Sequence, residues 1–198
     1  MKTKCDIILA GVGGQGVLSL ATVIAAAAMK DGLHVKQSEV HGMAQRGGAV
    51  MSHLRISSEP ISSDLVPRGN ADMIISMEPL ESLRYLSYLH EGGWVITSST
   101  PVENIPDYPE IEGLLRQIRS LPSSAVVDAE GIAKKAGSAR AANTVLVGAA
   151  AHLLPVRFET IEEFVQGVFR RKGSAVVKTN VQALRAGRAL VEREASAS

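Results

Sequence analysis

A single cysteine, Cys5, is all the thiol that the 198-residue sequence holds. One thiol closes no internal disulfide and cannot supply the several thiolates of an iron–sulfur cluster or a structural zinc site, so Cys5 reads as a small buried residue. An excess of charge is missing as well: 21 basic and 20 acidic side chains leave a formal net charge of +1. Nothing in that balance draws the whole chain to nucleic acid or to an anionic membrane, and any electrostatic function has to be local. No apolar run is long enough to cross a bilayer, which takes about 20 residues. Val17 to Met29 falls short of that, and the basic N-terminus is followed by no cleavage pattern of a secretory signal, so a cytoplasmic location is expected. His34, His41, His53, His90 and His152 lack metal-ligand spacing. His41, beside Glu39, reads as structural rather than as a general base, and no nucleophile–base pairing stands out. With no repeat, low-complexity run or linker, residues 1–198 are read as one domain, 45% hydrophobic and large enough for a real core.

What the chain does have is an apolar strand running into Gly11-Val12-Gly13-Gly14-Gln15-Gly16 and then directly into a long apolar helix. That order makes a helix N-terminus whose backbone N–H groups face the mouth of a turn, where the helix dipole favours a phosphate or carboxylate. Gly11 suits the tight turn, Gly13 and Gly14 allow close approach of a ligand or another chain, and Gly16 allows close packing of helix on strand. The match to G-x-G-x-x-G is weak alone, and a turn needed only for strand–helix packing satisfies it equally.

A second unusual stretch, Glu39 to Gly48, is polar and glycine-rich with one arginine, Arg46. It is too short and too little helical for a parallel crossover, so the strand that follows, 49–57, is expected to run antiparallel to its neighbour. Strands are read at Lys4 to Ala10, His34 to Ser38, Asp72 to Met77, Trp94 to Thr97 and Ala125 to Asp128. Pro79 opens a helix expected to reach Glu91 and to be ended by Gly92-Gly93; further helices are read near 110–119, 129–136, 144–153, 160–171 and 180–194. Thr160-x-x-Glu163 has the form of a capping box, and Ile161, Phe164, Val165, Val168 and Phe169 repeat at the spacing of one core-facing helix stripe. The tail from Ala195 is expected to fray. The alternation implies a mostly parallel α/β sheet with helices on both faces, one antiparallel strand and a helical C-terminal third.

Ligands of open α/β sheets bind beyond the C-terminal strand ends, and both the 11–16 turn and the 39–48 loop follow strands at that edge. The two are expected to converge. Arg46 offers a planar fork for an anion, with Gly47 and Gly48 adding backbone donors; a salt bridge from Arg46 to Glu39 or to a partner chain is an equal reading. Two other classes of function compete. In a free-standing NAD(P)-dependent oxidoreductase of Rossmann type, Glu39 would be the ribose-binding carboxylate, but no proton donor accompanies it. A non-catalytic nucleotide-binding or interaction module finds little support in a neutral chain with one arginine in the loop.

Several motifs together carry a resemblance: Gly11 to Gly16, Ser38 to Gly48, Gly69-Asn-Ala-Asp72 followed by Glu78-Pro79, Asn143-Thr144, and Asn180 with Ala183 and Gly187. Over nearly its whole length the sequence resembles the gamma-type domain of 2-oxoacid:ferredoxin oxidoreductases, and its 38–48 segment looks most like the small (beta) subunit of the indolepyruvate enzymes. The resemblance implies a single Rossmann-like domain that is inactive alone and works in oxidative decarboxylation of a 2-oxoacid such as indolepyruvate or pyruvate. It further implies a large partner subunit bearing thiamine diphosphate and iron–sulfur clusters, coenzyme A as co-substrate, ferredoxin as acceptor through the complex, and self-association of isolated copies. It assigns no catalytic or metal-ligating residue to this chain. Gly11, Gly13, Gly14, Gln15, Gly16, Glu39, Gly42, Met43, Gln45, Arg46, Gly47 and Gly48 are the residues it places at the ligand- or partner-binding edge.

Overall fold

The computed structural model describes residues 3–41 and 47–196. Its centre is the first strand, β1 (Lys4–Val12), where Ile7, Ile8, Leu9 and Ala10 have no exposed surface. Because strand side chains alternate, Cys5, Ile7 and Leu9 enter one core while Ile8 enters the other. Burying each of these isoleucines and Leu9 contributes about 1.5–3 kcal/mol, which makes β1 the natural middle of a sheet.

On one side β1 pairs in parallel with β4 (Ala71–Ser76), followed by β5 (Leu89–Ser98) and β6 (Ser124–Val127), all parallel. On the other side lies β3 (Ala49–Ser57), antiparallel both to β1 and to the edge strand β2 (His34–His41). The order is β2-β3-β1-β4-β5-β6, and the strand expected to be antiparallel, 49–57, is the one that is. One face carries α1 (Val17–Lys30), α4 (Ala129–Ala136), α5 (Ala142–Ala150), α6 (Phe158–Phe169) and α7 (Ser174–Ser196); the other carries the short α2 (Pro79–Arg84) and α3 (Ile111–Arg119). Ile161 and Val165 of the α6 stripe are buried, Phe164 and Phe169 half-buried, and Val168 stays exposed.

Several expected boundaries differ, and β2 continues to His41 through the first residues of the expected 39–48 loop. The helix after Pro79 stops at Arg84 rather than Glu91, and β5 begins at Leu89 and runs through Gly92-Gly93. Those glycines sit where β5 shifts register against β4, between the pairs Ala71–Leu89 and Met73–Trp94, so they mark a bulge and not a helix end. The last helix starts at Ser174, not 180, and continues to Ser196; residues 197 and 198, the end of the expected frayed tail, lie outside the described residues. The capping box at Thr160 does not form. Arg157 is the N-cap of α6, and the Thr160 hydroxyl donates instead to Asp31 at 2.8 Å. Asp31, the C-cap of α1, also accepts from the Arg157 backbone N–H at 2.8 Å, from Nε at 3.1 Å and from Nη2 at 2.7 Å. Tertiary contact therefore claimed a side chain that local pattern had assigned to its own helix.

The helical third is held by backbone contact. A Cβ at Gly148 of α5 would lie 2.0 Å from the Leu184 carbonyl oxygen, and one at Gly187 of α7 would lie 2.0 Å from that of Val145. Thr144 Oγ1 donates to Asn180 Oδ1 at 2.8 Å across the same crossing, and Asn180 Nδ2 to the Val176 carbonyl at 2.9 Å. Thr144, Asn180 and Gly187 thus meet at one crossing, beside the fully buried Ala183.

Gly187→Ala is expected to lower stability by at least about 1–3 kcal/mol, the range of core overpacking, since the obstruction is a main-chain oxygen; urea unfolding checks it. Asp31→Asn is expected to lose about 1–3 kcal/mol at pH 7. The Arg157 hydrogen bonds, first among its causes, hold the Asp31 carboxyl down from 3.8 to about 2. Its contribution is complete above the unfolded value and lost as pH falls toward about 2, so the stabilities of wild type and variant should converge across that window in pH-dependent unfolding.

Candidate functional site

The C-terminal end of β1 leaves backbone groups that its neighbours must satisfy. Gln15 satisfies two. Its Oε1 accepts from the Val12 N–H at 2.7 Å, and its Nε2 donates to the Met77 carbonyl at 3.1 Å, while the Met77 N–H donates to the Ala10 carbonyl at 3.0 Å. One side-chain amide thus staples β1 to the segment leaving β4. This is the switch point of the sheet, because α1 leads away to the β2–β3 side and β4 lies on the other. Gly11 makes room for the staple: a Cβ there would lie 2.9 Å from Gln15 Oε1 and 2.9 Å from Val17 Cγ2.

The next groups are satisfied from outside the turn. Gly13 N–H donates to the Gly48 carbonyl at 2.8 Å and Gly47 N–H to the Gly13 carbonyl at 3.3 Å, so the two glycine segments meet through their backbones. Asn143 Nδ2 donates to the carbonyls of Gln15 at 2.9 Å and Gly16 at 3.4 Å. Gly16 caps α1 with φ +83°, and a Cβ on it would press on Asn143 Nδ2 at 2.8 Å. Gly14 is exposed at the tip of the turn. Glu39 is exposed near the end of β2 and accepts from Gln37 Nε2 at 2.9 Å. Gly42, Met43, Gln45 and Arg46 lie outside the described residues.

Next to the turn is a cleft of about 370 Å³ whose lining includes Gly14, Gln15, Met77, Ser98, Arg140 and Asn143. Neither α1 nor α5 carries a side-chain N-cap, and the Arg140 guanidinium has no acidic partner among the described residues. The uncapped start of α1 and a guanidinium without such a partner favour an anion there. Thr100, Pro101 and Val102 form one wall. A buried carboxylate holds that wall: Glu78, 1% exposed, caps α2 by accepting from the Glu81 N–H at 2.8 Å. It also accepts from the Val102 N–H at 3.4 Å and from the Tyr108 hydroxyl. Burial, first, and this hydrogen bond push the Tyr108 phenol well above its ordinary range. Asn104, on the same loop, donates to the Gly47 carbonyl at 2.6 Å, tying the wall to the glycine segments.

Sequence reasoning placed Gln15 and the glycines here but missed Asn143, Glu78, Asn104 and Arg140 as parts of the site. Glu78 had a local signal, a carboxylate directly before Pro79 at a helix start. Asn143 was marked only by the Asn143-Thr144 motif of the resemblance and Asn104 by nothing, since their partners are 128 and 57 residues away. The site holds no thiol: Cys5 lies buried within β1, its pKa pushed up to about 12 mainly by burial. Among the described residues no group of three or more His, Cys, Asp or Glu could hold a metal ion. The nicotinamide reading also loses its geometry. A ribose-binding carboxylate needs β2 beside β1, whereas β3 lies between them and sets Glu39 two strand spacings away, about 10 Å.

Asn143→Ala is expected to cost about 1–2 kcal/mol by leaving the Gln15 and Gly16 carbonyls without their donor. Asn143→Asp, of similar size but presenting a carboxylate to the same two oxygens, should cost more. Wild-type urea midpoints for both would show that the amide is not what clasps the turn.

The family model described as "Pyruvate ferredoxin/flavodoxin oxidoreductase" matches residues 6–190. Indolepyruvate oxidoreductase subunit IorB of Archaeoglobus fulgidus is 37% identical over 193 residues, which cover 93% of this chain and 94% of that protein. The keto/oxoacid ferredoxin oxidoreductase gamma subunit of Geobacter sulfurreducens superposes with a TM-score of 0.69 at 26% identity, covering 96% of this chain and 99% of that one. A chain of the 2-oxoglutarate:ferredoxin oxidoreductase of Magnetococcus marinus, solved with 2-oxoglutarate, coenzyme A and succinyl-CoA bound, shares the fold. Its TM-score is 0.77 at 23% identity, with 98% of this chain matching 32% of that one. The chain therefore belongs to the pyruvate ferredoxin/flavodoxin oxidoreductase family, as a gamma-type small-subunit member similar to the IorB subunits.

Proposed function

We propose that this chain is the small subunit of an indolepyruvate:ferredoxin oxidoreductase, a cytoplasmic complex that converts a 2-oxoacid and coenzyme A to an acyl-CoA and carbon dioxide while reducing ferredoxin. The observation that carries the reading is 37% identity to an IorB subunit over 93% of this chain and 94% of that relative. Thiamine diphosphate, the electron sink of decarboxylation, and the clusters that conduct the electrons belong on the large partner subunit, because one buried thiol here cannot ligate a cluster. This chain's part is to present the edge formed by Gly11 to Gly16, Gly47 and Gly48 to that partner or to an anionic group of coenzyme A. The turn's own polar groups support a rigid presenting role: Val12 N–H, Gly13 N–H and the Gln15 carbonyl are all engaged within the chain. Isolated copies would cover the same docking surface by self-association.

The test is reconstitution with the cognate large subunit. The small chain alone should be colourless and inactive, and the complex should turn over indolepyruvate faster than pyruvate or 2-oxoglutarate. Arg46→Lys, which keeps the charge and loses the bidentate fork, should weaken the anion contact by about 1–2 kcal/mol, roughly five- to thirtyfold. A raised apparent coenzyme A requirement would place the anion on the cofactor, and weakened subunit association alone would place it on the partner. Unchanged behaviour of both Arg46→Lys and Arg46→Ala would remove Arg46 from the site. Cluster absorbance or turnover in the small chain alone would overturn the subunit reading.

A further inference from the structure

The chain is almost neutral, but its charges are not evenly spread. Segments 131–158 and 164–191 contain ten lysines and arginines and no aspartate or glutamate. Some of these cations are neutralised from elsewhere: Lys134 by Glu130, Arg157 by Asp31 and Arg185 by Glu162. Arg140, Arg170, Arg171, Lys172 and Lys178 form no ion pair among the described residues, and all five are exposed. They come from the 3-10 turns Ala139–Ala141 and Arg170–Lys172 and from the start of α7, which surround one cavity of about 360 Å³.

Arg140 and Lys172 line this cavity on separate segments, and its apolar lining comes from Ala141, Phe169, Ala175 and Val176. Lys172 Nζ stands over the Phe169 ring, 5.4 Å from its centroid. The Thr179 hydroxyl also lines the cavity, where Gly137, at φ +122°, leaves it room; a Cβ there would come within 2.9 Å of it. Thr179 Oγ1 has no hydrogen-bond partner among the described residues, and the Ser138 Oγ accepts from the Arg140 N–H at 3.3 Å, which leaves its own proton to donate.

A planar fork and a point charge on the same cavity match a dianion better than a monocarboxylate, and a phosphate group carries about −1.5 to −2 at neutral pH. The apolar lining asks for a body attached to that phosphate. The volume lies in the range of small-molecule sites, about 300–1,000 Å³. We infer that the cavity bounded by Arg140, Phe169, Lys172 and Thr179 binds a phosphorylated ligand with a flat apolar body, the chemistry of a nucleotide. Arg170, Arg171 and Lys178 raise the local concentration of such an anion without touching it. Arg140 also lines the cleft beside the glycine turn, so a ligand with a long arm could extend from one space into the other. A free nucleotide and the nucleotide end of coenzyme A share the required chemistry. The inference does not depend on which 2-oxoacid the complex uses.

Calorimetric titration of the purified full chain with ADP, coenzyme A and inorganic pyrophosphate at low and raised salt tests it. Saturable binding of ADP or coenzyme A is expected, tighter than pyrophosphate and weakened by salt. Lys172→Ala, a residue that lines this cavity and not the cleft, should weaken it at least tenfold, and Arg140→Ala likewise. Both side chains are exposed, so circular dichroism should report an unchanged fold. Similar affinities for ADP and coenzyme A would identify a free nucleotide as sufficient; coenzyme A binding tenfold or more tighter would identify the longer ligand. Absence of saturable binding by all three probes, or binding that neither substitution weakens, overturns the inference. Substitutions that leave ligand binding intact and instead weaken a salt-sensitive association with the large subunit would show an acidic protein surface to be the true occupant, which also overturns it. Turnover of indolepyruvate by the complex is a separate readout, so this inference and the proposed activity fail independently.

Discussion

Satisfying the backbone at the end of β1 is the constraint on which the rest of the site depends. A central strand that stops in a glycine turn leaves N–H and C=O groups with no ladder to join, and each one buried unpaired costs about 1–3 kcal/mol. Gln15, Gly48 and Asn143 answer that need from three parts of the chain. Asn143 sits in the first turn of α5, and α5 is held by the crossing with α7 at Gly148 and Gly187. The helical third therefore reaches the glycine turn through one continuous set of contacts, which is why motifs more than a hundred residues apart belong together.

That arrangement accounts for the conspicuous glycines of this small subunit. The turn resembles a dinucleotide-binding loop in letters, but its Gln15 amide is spent on stapling β1 to the segment after β4, and β3 separates Glu39 from β1. Glu78, Tyr108 and Asn104 then brace the loop that walls the cleft. The unpaired charge has gathered elsewhere, on the turns beside α7, where no carboxylate of the described chain reaches it.

Local pattern was legible in the sequence wherever one strong physical signal acted alone. The buried strands were readable from continuous apolar runs, α1 from its apolar length, and the antiparallel course of 49–57 from a connection too short for a crossover. The ends of elements were less so. Thr160 followed the capping-box pattern and was taken by Asp31, and Gly92-Gly93 had the composition of a helix stop but lie in a strand bulge. In each case a contact made only after folding outweighed a local preference of comparable size.

Composition and motif order by themselves determined the family and the α/β class, because each rests on residue identity and spacing alone. Tertiary structure alone decided that Gln15 is a staple, that Asn143 clasps the turn, that β3 intervenes before β2, and that Arg140 and Lys172, far apart in sequence, line one cavity. Those relations depend on strand order and helix crossing. Both are set by how buried surfaces and unsatisfied backbone groups find partners across the fold, a choice that no local window of sequence contains.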